Sequence, residues 1–366
     1  MKKITTMLSL LALLTVSCKQ KEELTLVVGT YTDQSTSNGI YTYRFNQETG
    51  EATALDSATL ENPSFLTFGA KRENIYAVSE MTRETAKLSA YQLEAATGKL
   101  HRINTQPIAG DHPCNVRAIE GLAVTANYSS GSISTFPLKE DGSILPATNT
   151  LSFTKTGADS IRQASSHLHC AIFSPQQDFL LATDLGGDCI YSYQVKREGN
   201  RVQLEKESLQ TTQLPAGTGP RHLIFSTSGK RVYLISELSG EVMTFRYKNG
   251  SLQLMQTLVA DSVGARGSGD IHSSPDNKFL YTSHRLQADG LSIFKIKKDG
   301  TLEKTGYQPT GKHPRNFTIT PNGKLLLVAC RDENAIEIYR RNKKTGELTL
   351  LPTSIKQGKP VCLQFK

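Results

Sequence analysis

The sequence predicts an all-β fold: a seven-bladed β-propeller whose last blade is closed by strands from the two ends of the chain. Three observations carry this. A block of short apolar strands and glycine turns recurs about every 44–55 residues, the length of one four-stranded blade. One copy is split between the termini, which describes a closed ring without the exposed sheet edges of an open array. The 28 glycines, 13 tyrosines and 13 phenylalanines among 366 residues suit many short strands better than helices.

Six full copies share one grammar. A small or polar motif opens a short apolar strand; a turn leads to a second apolar strand ending in a polar tip. A third, alternating strand follows, then a turn such as Thr97-Gly98 or Asp299-Gly300 and a fourth strand. The cores of these copies span 62–80, 112–127, 167–184, 219–237, 269–285 and 313–331. The split copy takes its first strand from 359–365, its second from 24–31 and its third from 39–45, with the turn Glu48-Thr49-Gly50-Glu51 after it. Continuous apolar second strands suit a position between packed blades, and alternation such as Ile190 to Val195 suits a half-buried third strand. No domain boundary interrupts 24–366. The longest irregular stretches, near 150–166 and 258–268, read as loops between blades placed to cover part of an axial pocket.

The N-terminus reads as a targeting segment. Lys2 and Lys3 precede an apolar stretch, Met7 to Val16, too short for a permanent membrane span. It ends at Thr15-Val16-Ser17-Cys18, which resembles a bacterial lipobox with Thr15 in place of the usual leucine. The expectation is a signal peptide over 1–17, lipidation of Cys18, a polar tether over 18–23, and a protein anchored in the cell envelope, periplasmic or surface-exposed. The other five cysteines, Cys114, Cys170, Cys189, Cys330 and Cys362, show no metal-ligand spacing and read as small buried hydrophobes. The net charge of +8, about +6 without Lys2 and Lys3, comes with no basic run interleaved with aromatics. It points to anionic small molecules and not to nucleic acid.

Propeller geometry places the start of each first strand and the end of each second strand on one face. The second-strand ends read Tyr31, Glu80, Asn127, Asp184, Glu237, Arg285 and Arg331. The first-strand starts read Ser64, Cys114, His169 with His167, Arg221 with His222, Asp270 with His272, Arg315 and Val361. Arg221, Arg285, Arg315 and Arg331 fall in consecutive blades, facing Glu80, Asn127 and Asp184 across the axis. A cluster of guanidinium forks suits a carboxylate or phosphate. Arginine neighbours lower the proton affinity of Glu237 while burial raises it. An ionised Glu237 or a neutral His169 is a candidate general base, and Arg221 and Arg285 are candidate oxyanion donors. His167 and His169 share a strand face, but spacing specifies no third ligand, so neither metal nor cofactor is predicted. His222, beside Arg221, is expected to point away from the axis.

At these motifs the chain resembles the seven-bladed propeller lactonase family, which includes bacterial 6-phosphogluconolactonases and carboxy-muconate cyclases. The resemblance runs through Gly29-Thr30-Tyr31-Thr32, Asn62-Pro63-Ser64, Ala126-Asn127-Tyr128, Asp184-Leu185-Gly186, Gly219-Pro220-Arg221-His222, Ser236-Glu237-Leu238 and Pro314-Arg315-Asn316-Phe317. It implies a hydrolase of an anionic sugar lactone, with His169, Arg221, Glu237 and Arg285 catalytic; a monomer is expected. Tyr31, Glu80, Asn127, His167, Asp184, Asp270, Arg315 and Arg331 remain as substrate-binding candidates from the rings. Ser236 and His284 stand where the family pattern has asparagine, and Glu120-Gly121 replaces a proline-containing turn. The alternatives are a metal-dependent sugar lactonase using Glu80, Asn127 and Asp184, and a non-catalytic surface propeller that binds a sugar acid.

Overall fold

The computed structural model describes residues 22–199 and 201–366. The expected signal peptide and Cys18 lie outside the described residues. Seven antiparallel four-stranded sheets form the ring. Blade 1 comprises Leu66–Phe68, Asn74–Ser79, Lys87–Leu93 and Leu100–Pro107; blade 2, Pro113–Ile119, Leu122–Asn127, Ser132–Pro137 and Asn149–Ser152. Blades 3, 4, 5 and 6 begin with Leu168–Phe173, Pro220–Phe225, Ser268–Ser273 and Pro314–Ile319, and their second strands are Phe179–Asp184, Arg231–Ser236, Phe279–His284 and Leu325–Cys330. Blade 7 joins Pro360–Phe365 to Glu23–Thr30, Gly39–Asn46 and Ala52–Thr59. The ring thus closes by pairing the two ends of the chain, as the split repeat predicts. Leu26, Val28 and Phe45 of that blade pack on Leu325, Leu327 and Ile336 of blade 6, so closure is also an apolar seal.

The second strands are buried along their length, for example Leu325–Cys330. The third strands are more buried than alternation alone predicts: Cys189 to Tyr193 are all buried. They are flanked by strands on both edges and by blades on both faces, so alternation toward solvent passes to outer strands such as Ala52–Thr59. Adjacent blades are latched at the turn glycines. Tyr76, Tyr233 and Tyr281 donate their hydroxyls to the carbonyls of Gly142, Gly300 and Gly346 in the following blade, at 3.0, 2.9 and 2.8 Å. Gly346 has φ +80°, and a β-carbon there would run into the Phe279 ring, so the turn needs glycine on both counts.

One irregularity positions everything that follows. In six blades the register of the first strand shifts at the same place, skipping Cys114, His169, Arg221, the Gly269-Asp270 step, Arg315 and Val361. A bulge re-aims the extra residue out of the ladder. Repeated around the ring, it delivers one side chain per blade to the axis.

Candidate active site

A repeated backbone bond fixes which residues are equivalent. In every blade the residue just past the second strand donates its N–H to the carbonyl two residues before the bulged position. The pairs are Tyr31–Lys359, Glu80–Asn62, Tyr128–His112, Leu185–His167, Glu237–Gly219, Arg285–Gly267 and Arg331–His313, at 2.8–3.2 Å. The upper ring is therefore Tyr31, Glu80, Tyr128, Leu185, Glu237, Arg285 and Arg331. The bulge ring below it is Ser64, Cys114, His169, Arg221, Gly269, Arg315 and Val361. The next layer holds Phe65, Asn115, Cys170, His222, Asp270, Asn316 and Cys362.

The four expected catalytic residues converge. Glu237 Oε2 accepts from Arg221 Nε at 2.8 Å and lies 3.3 Å from Arg285 Nη2. Arg221 Nη1 also donates to the Gly269 carbonyl at 2.7 Å. Arg285 is held by the carbonyls of Gly267 and Ser268, at 2.8 and 3.2 Å. His169 lines the floor of the funnel with Ser64, Cys114, Arg221, His222 and Arg315. Its Nδ1 faces Cys114 Sγ at 3.8 Å, and no hydrogen bond engages its Nε2 among the described residues.

Charge sets the protonation states. Burial would raise the pKa of Glu237, but Arg285, Arg221 and Arg162 outweigh it and hold the carboxyl near about 2. Glu237 is thus an ionised counter-charge and a weak base. Burial, then the cations Arg221 and Arg315, hold His169 well below the usual 6.5, so its imidazole is neutral. Burial and the neighbouring Arg221 lower Arg285 to about 9. On the opposite wall Arg315 lies 3.6 Å from Glu80 Oε2 and over the Tyr31 ring at 5.2 Å, while the Tyr31 hydroxyl donates to the same carboxylate at 2.9 Å.

The chain as a whole is similar to known proteins. The lactonase, 7-bladed beta-propeller family matches residues 25–365. The chain belongs to that lactonase family. A 6-phosphogluconolactonase of Formosa agariphila is 36% identical over 340 residues, 90% of this chain and 96% of its own length. That of Bacillus subtilis is 30% identical over 349 residues, 92% and 97% of the two chains. The solved structure of the Pseudomonas aeruginosa periplasmic gluconolactonase superposes with a TM-score of 0.86 at 30% identity, covering 94% of this chain and 99% of that one.

Within this lactonase propeller several expected binding residues lie elsewhere. Asn127 is fully buried inside blade 2, donating to Ser132 and Ser134, each at 3.0 Å, and accepting from Thr125. Asp184 is likewise inside blade 3, accepting from the backbone of His167 and Gly187 and from the Tyr191 hydroxyl. Both sit one residue before the upper ring, and a one-residue step in a strand reverses the facing side. They therefore cannot join Glu80 around a metal ion, and among the described residues no cluster of three or more His, Cys, Asp or Glu is disposed to hold one. Asp270 belongs to the layer beneath the bulge ring, where it accepts from His222 Nδ1 at 2.8 Å, His272 Nε2 at 2.8 Å and Asn316 Nδ2 at 2.5 Å. Arg331 reaches the upper rim but pairs with its neighbour Asp332 at 2.6 Å, lining a separate cavity of about 450 Å³ that also contacts Tyr31, Glu80 and Lys359. His167 stands at the mouth, stacked on Tyr128 at 4.4 Å.

His222 lines the axial floor and does not point away. The bulge at Arg221 breaks the alternation, so both neighbours reach the channel. Two residues escaped the sequence reading. Tyr128 occupies the upper ring of blade 2, edge-on to His169 at 5.5 Å. Arg162, from the loop between blades 2 and 3, reaches Glu237 Oε1 at 2.6 Å; the only sequence signal was that loop's length. Ser236 and His284, the departures from the family pattern, occupy the in-blade position of Asn127 and Asp184, away from the funnel. His284, for example, bonds Ser268 and Thr282. A cavity of about 760 Å³ lies on the other face against the turns of blades 1–3 and gathers no comparable cluster.

Proposed function

We propose that this protein hydrolyses an anionic sugar lactone, with 6-phosphogluconolactone-type compounds as the substrate class. The observation that carries the reading is Glu237 held between Arg162 and the buried Arg221 and Arg285, with a neutral His169 beside Arg221 on the funnel floor. Arg162, Arg221, Arg285 and Arg315 face only Glu237 and Glu80, leaving a surplus of two positive charges for a ligand to neutralise. The identity and near-complete coverage of the Formosa and Bacillus relatives support the same substrate class.

The chemistry follows from the geometry. Water attacks the lactone carbonyl carbon while His169 Nε2 takes its proton. Arg221 and Arg285 stabilise the oxyanion that forms. The ring C–O bond then breaks, and the leaving alkoxide receives the proton from His169, giving a hydroxy acid that ionises. An anionic substrate offsets the cations that depress His169, so binding strengthens the base that the reaction uses. Glu237 acts by keeping Arg221 and Arg285 aligned, since both its oxygens are engaged and its basicity is low.

The testing experiment is proton release from a panel of aldonic, uronic and phosphorylated lactones, measured against spontaneous hydrolysis. Acceleration of an anionic lactone is expected; a panel unaffected by the protein retires the reading. We propose also that Cys18 is lipidated after cleavage of residues 1–17, anchoring a monomeric propeller in the cell envelope, on the strength of Lys2, Lys3 and the Thr15 to Cys18 motif. Cys18→Ser is then expected to move the protein from the membrane fraction to the soluble one, and continued membrane association contradicts the anchor.

A further inference from the structure

We infer that Arg162 is a specificity residue: it selects lactones that carry an anionic substituent and contributes little to the hydrolysis of neutral ones. The inference rests on the hydrolase reading above and names the residue that sets its charge preference.

Four guanidinium groups face the funnel, and they differ in exposure. The side chains of Arg221 and Arg285 are 2% and 6% exposed, that of Arg315 is 16%, and that of Arg162 is 36%. Arg162 is therefore the cation an incoming ligand meets first. The donors of Arg221 and Arg285 are largely committed to Glu237 and to backbone carbonyls. Glu237 and the Tyr128 hydroxyl engage part of the five N–H donors of Arg162, and the remaining donors suit a phosphate or carboxylate. An anion that captures Arg162 competes with Glu237 Oε1 and with the Tyr128 hydroxyl. The pairs between Oε2 and Arg221 and Arg285 stay intact, so substrate capture leaves the hydrolytic machinery assembled.

Arg162 is also fixed in place, unlike an ordinary surface arginine. Asp159 Oδ1 accepts the backbone N–H of Ile161 and of Arg162, both at 2.9 Å. Next to it Gln163 is fully buried and donates to the Leu185 carbonyl at 2.9 Å and to Asp188 at 2.7 Å. Asp159 in turn pairs with Arg266 from the loop between blades 4 and 5. The two loops thus meet over the funnel and hold Arg162 at its mouth. A purely structural role, clamping the loop to Glu237, predicts the same contacts but a different response to substitution.

The test compares Arg162→Gln and Arg162→Lys with the wild type on a neutral six-carbon aldonolactone and on the same lactone phosphorylated at its terminal hydroxyl. The wild type is expected to favour the phosphorylated lactone. Arg162→Gln is expected to lose about 10–100-fold in kcat/KM on it, mainly through KM, and at least about fivefold less than that on the neutral one; Arg162→Lys recovers part of the loss. Equal losses on both lactones, or a wild type that discriminates less than threefold, overturn the inference. A wild type that hydrolyses neither lactone overturns the hydrolase reading instead. The selectivity is then decided by calorimetry with the phosphorylated hydroxy acid: at least tenfold weaker binding by Arg162→Gln sustains it, and equal affinity overturns it.

Discussion

Replacing Glu237 with glutamine removes the one carboxylate shared by Arg162, Arg221 and Arg285, and two magnitudes bear on the outcome. The pKa of Glu237 falls from the usual 4.5 to about 2; at about 1.4 kcal/mol per pH unit this corresponds to about 3 kcal/mol of folding free energy. Breaking a buried ion pair by removing one partner costs about 3–5 kcal/mol, which agrees. Because the folded pKa is depressed, this stabilisation is fully present above about pH 4.5 and is lost as the pH falls toward 2. Glu237→Gln should therefore unfold at lower denaturant concentration at pH 7, and its deficit should shrink as the solution is acidified into that window. The same variant leaves the arginine forks without their alignment, so kcat should fall by about 10²–10³, comparable to losing an oxyanion donor. Lactone turnover and urea unfolding at several pH values test both parts. Turnover within threefold of wild type, or a stability deficit that does not change between pH 7 and pH 3, refutes the reasoning.

Other expectations follow from neighbouring contacts. His169→Asn should lower turnover by about 10²–10⁴-fold with little change in unfolding; a loss below tenfold assigns the base elsewhere. Since His169 is held well below 6.5 and only its neutral form accepts a proton, kcat/KM should stay flat as the pH falls from 7 to 6.5, whereas an acid limb with an apparent pKa at or above 6.5 contradicts this. Asp270→Asn should destabilise the fold by at least about 2 kcal/mol through lost contacts to His222, His272 and Asn316, with the deficit shrinking below the usual aspartate value of 3.8 because its folded pKa is depressed. Activity should survive excess EDTA, given that Asn127 and Asp184 are committed inside their blades; inactivation reversed by a divalent ion would revive the metal-dependent alternative.

The ring was legible because it is periodic: seven copies with one split between the termini leave little choice of architecture. Cys114, His169, Arg221 and Arg315 were legible too, because each follows the opening residue of a recognisable first strand. The misplacements of Asn127 and Asp184 share one cause. Polarity was taken to mark where a second strand ends, yet Asn127 and Asp184 are polar residues still inside their strands, and the true ring positions, Tyr128 and Leu185, are apolar or aromatic. In blade 5 the bulge position is Gly269, which has no side chain to notice, so the adjacent Asp270 stood in for it. His222 was turned outward by strict alternation, which a bulge suspends. Arg162 lies outside the repeat altogether, so no periodicity pointed to it.

The most direct test is a crystal structure with the hydroxy-acid product of an anionic lactone. The account predicts its carboxylate within about 3 Å of Arg221 and Arg285, where the lactone carbonyl would have been, with His169 Nε2 facing the same carbon and the distal anionic group toward Arg162. A product bound instead on the opposite face, in the cavity lined by Lys71, Lys139 and Arg197, while the protein still turns over its lactone, would contradict it.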